Sequence, residues 1–372
     1  MVKLVKVNCF TFAFHILMPM ATKKRILVAP LNWGLGHATR CIPIINALIE
    51  DGFEPIIASD GIALELLKKE FPELKTMELP SYGITYAKKG KWFKMKLIKD
   101  SPKLAKAIKK EKKETKKLIE TLNIEGIISD NRLGVHSKKI PCVFMTHQLN
   151  VLSGKTTWLS TKLHQKFIKK FNECWVPDCK GEPNLTGKLG HVKSFDIPIK
   201  YLGPISRFTK RETEKKYQIM VLISGPEPQR TLLEEKLLSI FSNSTQPILF
   251  VKGLIQRKQT VETLNRLTVY NFMTSEQLEK AINESEIIVS RSGYTTIMDL
   301  AILEKKAFFI PTPGQTEQEY LAKILEKQNL VPYCTQDDIN LSKLEFVENY
   351  TGLVNLGSAI DYKELFHLFK GK

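Results

Sequence analysis

Short apolar runs alternate with longer amphipathic stretches along most of the chain. The first half begins with a pattern that predicts a strand at residues 25–30, a helix from residue 37 to about residue 51, and a strand at residues 54–58. Such alternation is typical of a parallel sheet covered by helices. Three later apolar runs predict further strands of this sheet, at residues 126–129, 142–145 and 173–177.

The alternation breaks near the middle of the chain and then restarts. A Gly-Pro break lies within residues 201–206 and is followed by a charged connector. After the connector the pattern predicts a strand at residues 218–223, a helix through residue 238 and a strand at residues 247–251. With 372 residues the chain is long enough for two domains with separate cores. The restart therefore favours two similar α/β domains over one large sheet.

We divide the chain into four parts on this basis. Residues 1–22 have the outline of a signal peptide, but Met18 and Met20 are plausible starts, so an over-extended start or a disordered leader is the preferred interpretation. The other parts are a first domain at residues 23–205, a second domain at residues 206–355, and a C-terminal helix at residues 356–372 that crosses back to the first domain.

The segment from Ser290 to Tyr320 carries the densest chemical pattern. An apolar strand ends at Ser290, and Thr296 with Asp299 predicts a capping box that opens a helix at residues 297–304. Such a turn directs free backbone N–H groups and the positive helix end at one point, which suits a phosphate. A further strand at residues 307–310 brings its following loop to the same edge of the sheet, where open α/β sheets bind ligands.

Two motifs in this segment carry a family resemblance. They are Arg-Ser-Gly-x-x-Thr-x-x-acid at residues 291–299 and Gln-x-Tyr at residues 318–320. Together they resemble the donor-binding region of GT-B glycosyltransferases, most similar to family 28 and the MurG family of lipid-linked UDP-N-acetylglucosamine transferases. The resemblance implies an α/β GT-B fold, in which two Rossmann-like domains with parallel sheets face each other across a cleft. It also implies a nucleotide-sugar donor on the second domain and an acceptor against the first.

The resemblance further implies a set of donor-binding residues. Arg291 meets the diphosphate or pairs structurally with a carboxylate, and Asp299 accepts the ribose hydroxyls or only caps the helix. Three positions depart from the family pattern: Asp299 is shorter than the family glutamate, Glu319 replaces a second glutamine, and Gly314 replaces a histidine. The full predicted donor set is Ser224, Gly225, Met273, Arg291, Ser292, Gly293, Thr295, Thr296, Asp299, Gln318 and Glu319.

The candidate catalytic residues lie in the first domain. The loop before the first helix contains Asn32, Gly34 and Gly36, whose glycines allow the backbone to approach a ligand. His37 follows at the helix start and is either a general base for an acceptor hydroxyl or a capping or packing histidine. Asp130, at a predicted strand end, orients His37, acts as the base itself, or caps a turn. His147 is a third candidate at the same edge.

Charge restricts the partners without selecting one. The formal net charge is +17, and residues 88–117 carry 14 lysines against three acids, with aromatic and aliphatic residues among them. This segment is a solvated helix face or a surface for anionic lipid headgroups. Nucleic-acid binding is not expected, because no recognisable reading module accompanies the lysines.

The sequence contains no metal motif. The six cysteines are scattered without zinc-type spacing, which favours reduced thiols in a cytosolic protein, and no Asp-x-Asp occurs. We therefore predict an inverting, metal-independent hexosyltransferase that needs no cofactor beyond a UDP-sugar, cytoplasmic and peripheral at the inner face of a membrane. A UDP-sugar 2-epimerase of the same architecture and a non-catalytic basic lipid- or nucleic-acid-binding protein are the alternatives.

Overall fold

The computed structural model describes residues 23–83, 101–152, 156–254, 256–356 and 360–371. The first domain is built on a seven-stranded parallel sheet in the order β3-β2-β1-β4-β5-β6-β7. Its strands are β1 (Arg25–Pro30), β2 (Glu54–Ser59), β3 (Thr76–Glu78), β4 (Ile124–Asp130), β5 (Cys142–Met145), β6 (Glu173–Val176) and β7 (Ile199–Tyr201).

Both faces of this sheet are buried, which explains the continuous apolar runs in the sequence. Ile26 and Val28 of β1 pack into the core on one face, whereas Leu27 and Ala29 pack into the core on the other. The described helices of the domain are α1 (Gly36–Glu50), α2 (Gly61–Glu70), α3 (Ser101–Leu122) and α4 (Thr157–Ile168).

The second domain repeats the design with six strands in the order β10-β11-β9-β8-β12-β13. All its pairs are parallel except the β10–β11 hairpin. Its strands are β8 (Tyr217–Leu222), β9 (Ile248–Val251), β10 (Val261–Leu264), β11 (Leu267–Tyr270), β12 (Ser285–Ser290) and β13 (Lys306–Phe309). Its longer helices are α5 (Gln229–Phe241), α6 (Ser275–Asn283), α7 (Tyr294–Ile302) and α8 (Thr316–Lys327).

The end of the chain returns to the first domain. After α9 (Leu341–Leu344) and a 3₁₀ turn (Glu345–Asn349) come two one-turn helices, α10 (Tyr362–Leu365) and α11 (His367–Lys370). Phe366 packs edge-on against Phe53 at 6.0 Å between ring centroids and lies beside Trp175 at 6.3 Å. These aromatic contacts attach the second domain's C-terminal extension to the core of the first.

The start of α7 differs from the prediction. The helix begins at Tyr294, with Gly293 as its N-cap residue, and not at Ile297. The predicted capping box of Thr296 and Asp299 is therefore wrong, because both residues already lie inside the helix. Asp299 instead accepts a hydrogen bond from Ser206 Oγ at 2.5 Å.

The two domains meet along the carboxyl ends of their parallel strands. Tyr294 at the start of α7 donates its hydroxyl hydrogen bond to the carbonyl of Pro177 in the first domain. Tyr320 of α8 accepts a hydrogen bond from the backbone N–H of Lys188 at 2.7 Å. The contacts set the first turns of α7 and α8 against the strand ends that carry the candidate catalytic residues. Among the described residues, no helix is both long and apolar enough to cross a bilayer.

Candidate functional site

Three side chains form the floor of the first domain's half of the cleft. His37 and Arg40 lie in the first two turns of α1, and Asp130 ends the neighbouring strand β4. Asp130 Oδ1 lies 3.0 Å from His37 Nδ1, and Asp130 Oδ2 accepts from Arg40 Nε at 2.7 Å. Arg40 Nη2 also donates to Asp130 Oδ1. Arg40 and Asp130 are buried, whereas the His37 side chain keeps 13% of its surface exposed.

The electrostatics of this group suit a neutral histidine. Burial lowers the pKa of His37 below its usual 6.5, and Asp130 only partly opposes that shift. Both contacts that the structure describes for His37 use Nδ1. When Nδ1–H donates to Asp130, Nε2 is unprotonated. An imidazole in that state can accept the proton of an attacking hydroxyl.

Asp130 itself is placed as an orienting group. Arg40 and His37 outweigh the cost of burial and lower the pKa of Asp130 to about 2. A carboxylate with such a low pKa is ionised at neutral pH and is a weak base. The Asp130 side chain also has no exposed surface. Its two oxygens already accept hydrogen bonds from α1. These contacts favour Asp130 as the group that orients His37, and the alternative in which Asp130 is the base stays a prediction.

His147 follows β5 and joins the two domains. Its Nδ1 lies 3.2 Å from Arg40 Nη1, and its Nε2 lies 2.9 Å from Glu317 Oε1 of α8. Its ring stacks on Tyr294 with centroids 4.1 Å apart and planes 12° apart. Gln148 Nε2 donates to the other Glu317 oxygen at 2.6 Å. His147 thus reaches the same cluster as His37, but its ring is held between helices of both domains.

The glycine loop before α1 touches the donor domain. A Cβ atom added to Gly36 would lie 2.2 Å from Thr295 Oγ1, so only glycine permits this approach. Gly34 has a positive φ of 74° that also favours glycine. Asn32, in contrast, is used within its own domain, where its side chain donates to Asp60 at 3.2 Å and accepts from the Ala63 N–H. These hydrogen bonds position the loop, and a ligand contact of Asn32 stays a prediction.

The first turn of α7 forms the donor half of the cleft. No side-chain hydrogen bond caps Gly293. The first N–H groups of a helix have no intrahelical partner and form its positive end, so the start of α7 presents them beside Gly36 of the first domain. Thr295 and Thr296 lie in this turn and are partly exposed. The exposed Ser224-Gly225 turn follows the neighbouring strand β8. This geometry is the one that suits a phosphate group.

Arg291 serves a structural role that the sequence did not specify. Its guanidinium donates to the carbonyls of Ile310, Pro311 and Gln229 and to the Gln336 side chain, at 2.7–3.1 Å. Its acceptors are all carbonyl oxygens, so the alternative of a carboxylate partner is wrong. Burial lowers its pKa to about 10. Nε remains buried without a hydrogen-bond partner among the described residues, and contact with a diphosphate stays a prediction.

The predicted sugar residues shape the loop before α8. Gln318 Oε1 accepts from the Thr312 N–H, and Glu319 Oε1 accepts from the Gly314 N–H, both at 2.8 Å. Ser292 Oγ donates to the carbonyl of Gln318 at 2.8 Å, which ties this loop to the start of α7. Met273 packs partly buried against the core of the second domain.

A cavity of about 640 Å³ lies between the domains beside the Ser206–Asp299 contact. Burial raises the pKa of Asp299 to about 7, while Ser206 and Arg207 oppose this increase. Asp299 is thus partly protonated at neutral pH and can both donate and accept. The cavity is lined from α1, the interdomain connector and the start of α6, including Pro43, Asn46, Ser206, Arg207, Ser275 and Glu276.

Sequence reasoning missed three residues of this site: Arg40, Tyr294 and Glu317. Arg40 had one available signal, because a charged residue on the apolar face of α1 demands a buried partner. Glu317 directly precedes Gln318 but lies outside the pattern that suggested the site. Among the described residues, no group of three or more His, Cys, Asp or Glu side chains is arranged to hold a metal ion.

Comparison with known proteins agrees with this geometry. Residues 228–348 match the glycosyltransferase family 28 C-terminal domain. The chain is 26% identical over 349 residues to the UDP-N-acetylglucosamine--N-acetylmuramyl-(pentapeptide) pyrophosphoryl-undecaprenol N-acetylglucosamine transferase of Clostridium tetani, covering 87% of this chain and 90% of that one. The Buchnera aphidicola protein of the same name is 26% identical over 206 residues, 54% of each chain.

The fold is shared with solved glycosyltransferases. Acinetobacter baumannii MurG superposes with a TM-score of 0.57 at 14% identity, covering 94% of this chain and 99% of that chain. This likeness confirms the predicted fold class of two Rossmann-like domains.

The contact of Gly36 with Thr295 predicts a specific suppressor pair. We expect Gly36→Ala to lower the melting temperature, because overpacking costs about 1–3 kcal/mol, and Thr295→Ala to restore part of the loss by removing Oγ1. Differential scanning fluorimetry measures both. Gly181→Ala is the matched control, since an added Cβ there meets no atom within 4 Å. Equal effects at both glycines would refute the interdomain contact.

Proposed function

We propose that this chain, a GT-B glycosyltransferase of the family 28 and MurG type, transfers a hexosyl group from a UDP-sugar to an acceptor hydroxyl with inversion. One observation carries the proposal. A histidine held neutral by burial and oriented by Asp130 lies one residue from Gly36, which touches the phosphate-suited start of α7. The base and the leaving-group site therefore face each other across the cleft.

This placement supports a single displacement. His37 Nε2 accepts the proton of the acceptor hydroxyl as its oxygen bonds to the anomeric carbon. The bond from that carbon to the diphosphate oxygen breaks at the same time, so the electron pair leaves with UDP. Because nucleophile and leaving group lie on opposite sides of the sugar, the configuration inverts. The transition state has oxocarbenium character, as in glycoside hydrolysis.

The departing diphosphate is stabilised by the start of α7 in this mechanism. Its free N–H groups and helix dipole are preorganised toward the negative charge that develops. The absence of an Asp-x-Asp motif in the sequence supports transfer without a bound metal. Closure of the domains keeps water, a competing acceptor, away from the sugar.

The choice of a UDP-sugar rests on the relatives. Their name specifies a UDP-N-acetylglucosamine donor, and the family 28 match covers most of the domain that carries the proposed donor site. The ribose is assigned to Asp299, at the edge of the interdomain cavity. A partly protonated carboxyl that already bonds Ser206 Oγ can exchange that hydroxyl for a ribose hydroxyl. We leave the sugar at the level of a hexose, because Glu319 and Gly314 depart from the family pattern.

We assign the acceptor to a membrane surface because of the outer face of α4. Trp158, Leu159 and Leu163 are 68%, 53% and 58% exposed on this helix, which contains no acidic residue. Its inner face lies next to the cleft, since His164 Nε2 contacts the carbonyl of Gln148 at 3.0 Å. An amphiphilic acceptor on this face would lie close to His147.

A basic cluster lies at the C-terminal end of α4, on the side of α3. Burial lowers the pKa of Lys170, and Lys112 of α3 and Lys166 of α4 lower it further, which places the three ammonium groups near one another. Exposed apolar side chains beside such a basic cluster fit an anionic bilayer surface. Of the lysine-rich segment predicted to bind lipid, residues 88–100 lie outside the described residues and residues 101–117 belong to α3.

The proposed location is the inner face of a membrane, with the enzyme attached from the cytoplasm. Five cysteines are free and buried, as expected in a reducing compartment. They are Cys41, Cys142, Cys174, Cys179 and Cys334.

A thermal-shift panel tests the donor. UDP at 100 times its dissociation constant should stabilise the chain by about 2.7 kcal/mol, whereas ADP and GDP should not. Asp299→Ala should weaken this shift, and Glu286→Ala, at an exposed position on β12, should leave it unchanged. No shift with any nucleotide would sink the proposal. Release of UDP that depends on an added acceptor would distinguish the transferase from a UDP-sugar epimerase.

His37→Ala tests the base. We expect kcat to fall by about 10² to 10⁴-fold, the usual contribution of a general base, with UDP binding retained. His367→Ala, an exposed histidine on α11, is the matched control. Since burial lowers the pKa of His37, the wild-type kcat should hold down to below pH 6.5 and fall only where His37 takes up a proton. A kcat that survives His37→Ala would reject this role.

Vesicle binding tests the assigned membrane surface. The wild-type chain should sediment with phosphatidylglycerol vesicles and not with phosphatidylcholine vesicles. Trp158→Ser combined with Leu163→Ser should reduce sedimentation about tenfold or more, because each buried side chain contributes about 1.5–3 kcal/mol. Phe346→Ser, which removes a side chain 53% exposed in the second domain, should have no effect. Equal binding by both variants would remove α4 from the membrane contact.

A further inference from the structure

We propose that Glu317 of the second domain is a positioning residue for His37 of the first, acting through His147 and Arg40. The inference rests on the proposed function and deepens it, since it makes the base depend on domain closure. His37 then adopts its catalytic arrangement when α8 has docked, so proton transfer is coupled to the presence of the donor domain. The chain of contacts runs Glu317, His147, Arg40, Asp130 and His37.

The proton positions along this chain are determined by donor and acceptor chemistry. A guanidinium has only donors, so His147 Nδ1 accepts from Arg40 Nη1 at 3.2 Å. His147 must then carry its proton on Nε2, and it donates to Glu317 Oε1 at 2.9 Å. Glu317 is ionised, because His147 and Gln148 lower its pKa despite burial. The contacts that join Glu317, His147 and Arg40 thus each have one allowed direction.

Arg40 transmits this arrangement to His37. Arg40 Nη2 lies 2.9 Å from His37 Nδ1, and it also donates to the Asp130 oxygen that faces the same His37 nitrogen. If Arg40 donates to Nδ1, the His37 proton is on Nε2 and the ring cannot act as a base there. If Nδ1–H donates to Asp130, Nε2 is free. The hydrogen bonds of Arg40 to Asp130 and His147 compete with its donation to His37 Nδ1, so they favour the active tautomer.

His147 is the contact through which the second domain acts on that guanidinium. Its ring is held on one side by Tyr294 stacking and at its Nε2 by Glu317, both from the second domain. The first domain contributes the Nδ1 contact with Arg40 and the approach of Gln148 Nε2 to His147 Nε2 at 3.3 Å. Separation of the domains would release the Tyr294 stacking and the Glu317 hydrogen bond, so the ring would no longer be held against Arg40 Nη1.

Glu317 faces the first domain in this arrangement. One carboxylate oxygen contacts His147, and the other accepts from Gln148 at 2.6 Å. If Glu317 positions His37, its substitution should lower kcat and leave the KM for the donor unchanged. This kinetic signature distinguishes positioning from sugar binding. The titratable and charged groups that face His37 directly or along this chain are Arg40, Cys41, Asp130, His147, Tyr294 and Glu317.

Kinetics provides the first test. Glu317→Gln should lower kcat by between about 10- and 100-fold, the scale of a misplaced catalytic group, with the KM for the UDP-sugar unchanged. His147→Gln should have a similar effect, and the double variant should be no worse than the more severe single one. Glu286→Gln, which removes an exposed carboxylate at the opposite end of β12, is the matched control. Additive losses, or a raised KM with normal kcat, would overturn the proposal.

A second test does not depend on activity. Because Glu317 favours the charged form of His37, Glu317→Gln should move the pKa of His37 to lower pH in an NMR titration of the seven histidines, assigned with His37→Ala. Glu286→Gln should not. A His37 titration unaffected by Glu317→Gln would refute the coupling. If the wild type turns over no UDP-sugar, the proposed function fails, and this titration still decides whether the chain of contacts exists.

Discussion

The candidate site depends on the buried ion pair between Arg40 and Asp130. Removing two charges from water is expensive, and the cost is offset only by close contacts that satisfy each donor and acceptor. Here the pair joins α1 to the end of β4 and has no exposed carboxylate surface. Loss of either partner would leave an unpaired buried charge, typically a change of about 3–5 kcal/mol. The orientation of the His37 ring follows from this pair, because His37 lies one helical turn before Arg40.

The architecture could be predicted because parallel strands buried on both faces leave long apolar runs. The predicted limits of β5 coincide with Cys142–Met145, and the strand at residues 25–30 coincides with β1. Candidate ligand residues at strand ends could also be predicted, because open α/β sheets bind ligands at the carboxyl edge of their strands. The start of α7 was missed because Thr296 and Asp299 have capping-box spacing. Asp299 instead pairs with Ser206, 93 residues away.

The charged residues of the site could not be paired from the sequence. Arg40 contacts an aspartate 90 residues away, and His147 contacts a glutamate 170 residues away in the other domain. Local spacing carries no information about such partners. The protein partners of Arg291 were also not predicted, because the sequence suggested either a diphosphate contact or a carboxylate partner. Its described hydrogen bonds go to carbonyl oxygens and join the ends of β12 and β13 to α5. The motif at Arg291 therefore stabilises these loops, in addition to any contact with a phosphate.

Like Arg291, Glu319 contacts the protein's own main chain, and this changes what the residue indicates about the transferred sugar. The sequence alone suggested that a carboxylate in place of a glutamine alters recognition of the donor. In the structure this carboxylate accepts a hydrogen bond from the Gly314 N–H, as Gln318 does from the Thr312 N–H. A glutamine side-chain oxygen can make the same contact. Since either residue can shape the loop, the substitution at position 319 restricts the sugar less than its chemistry implied.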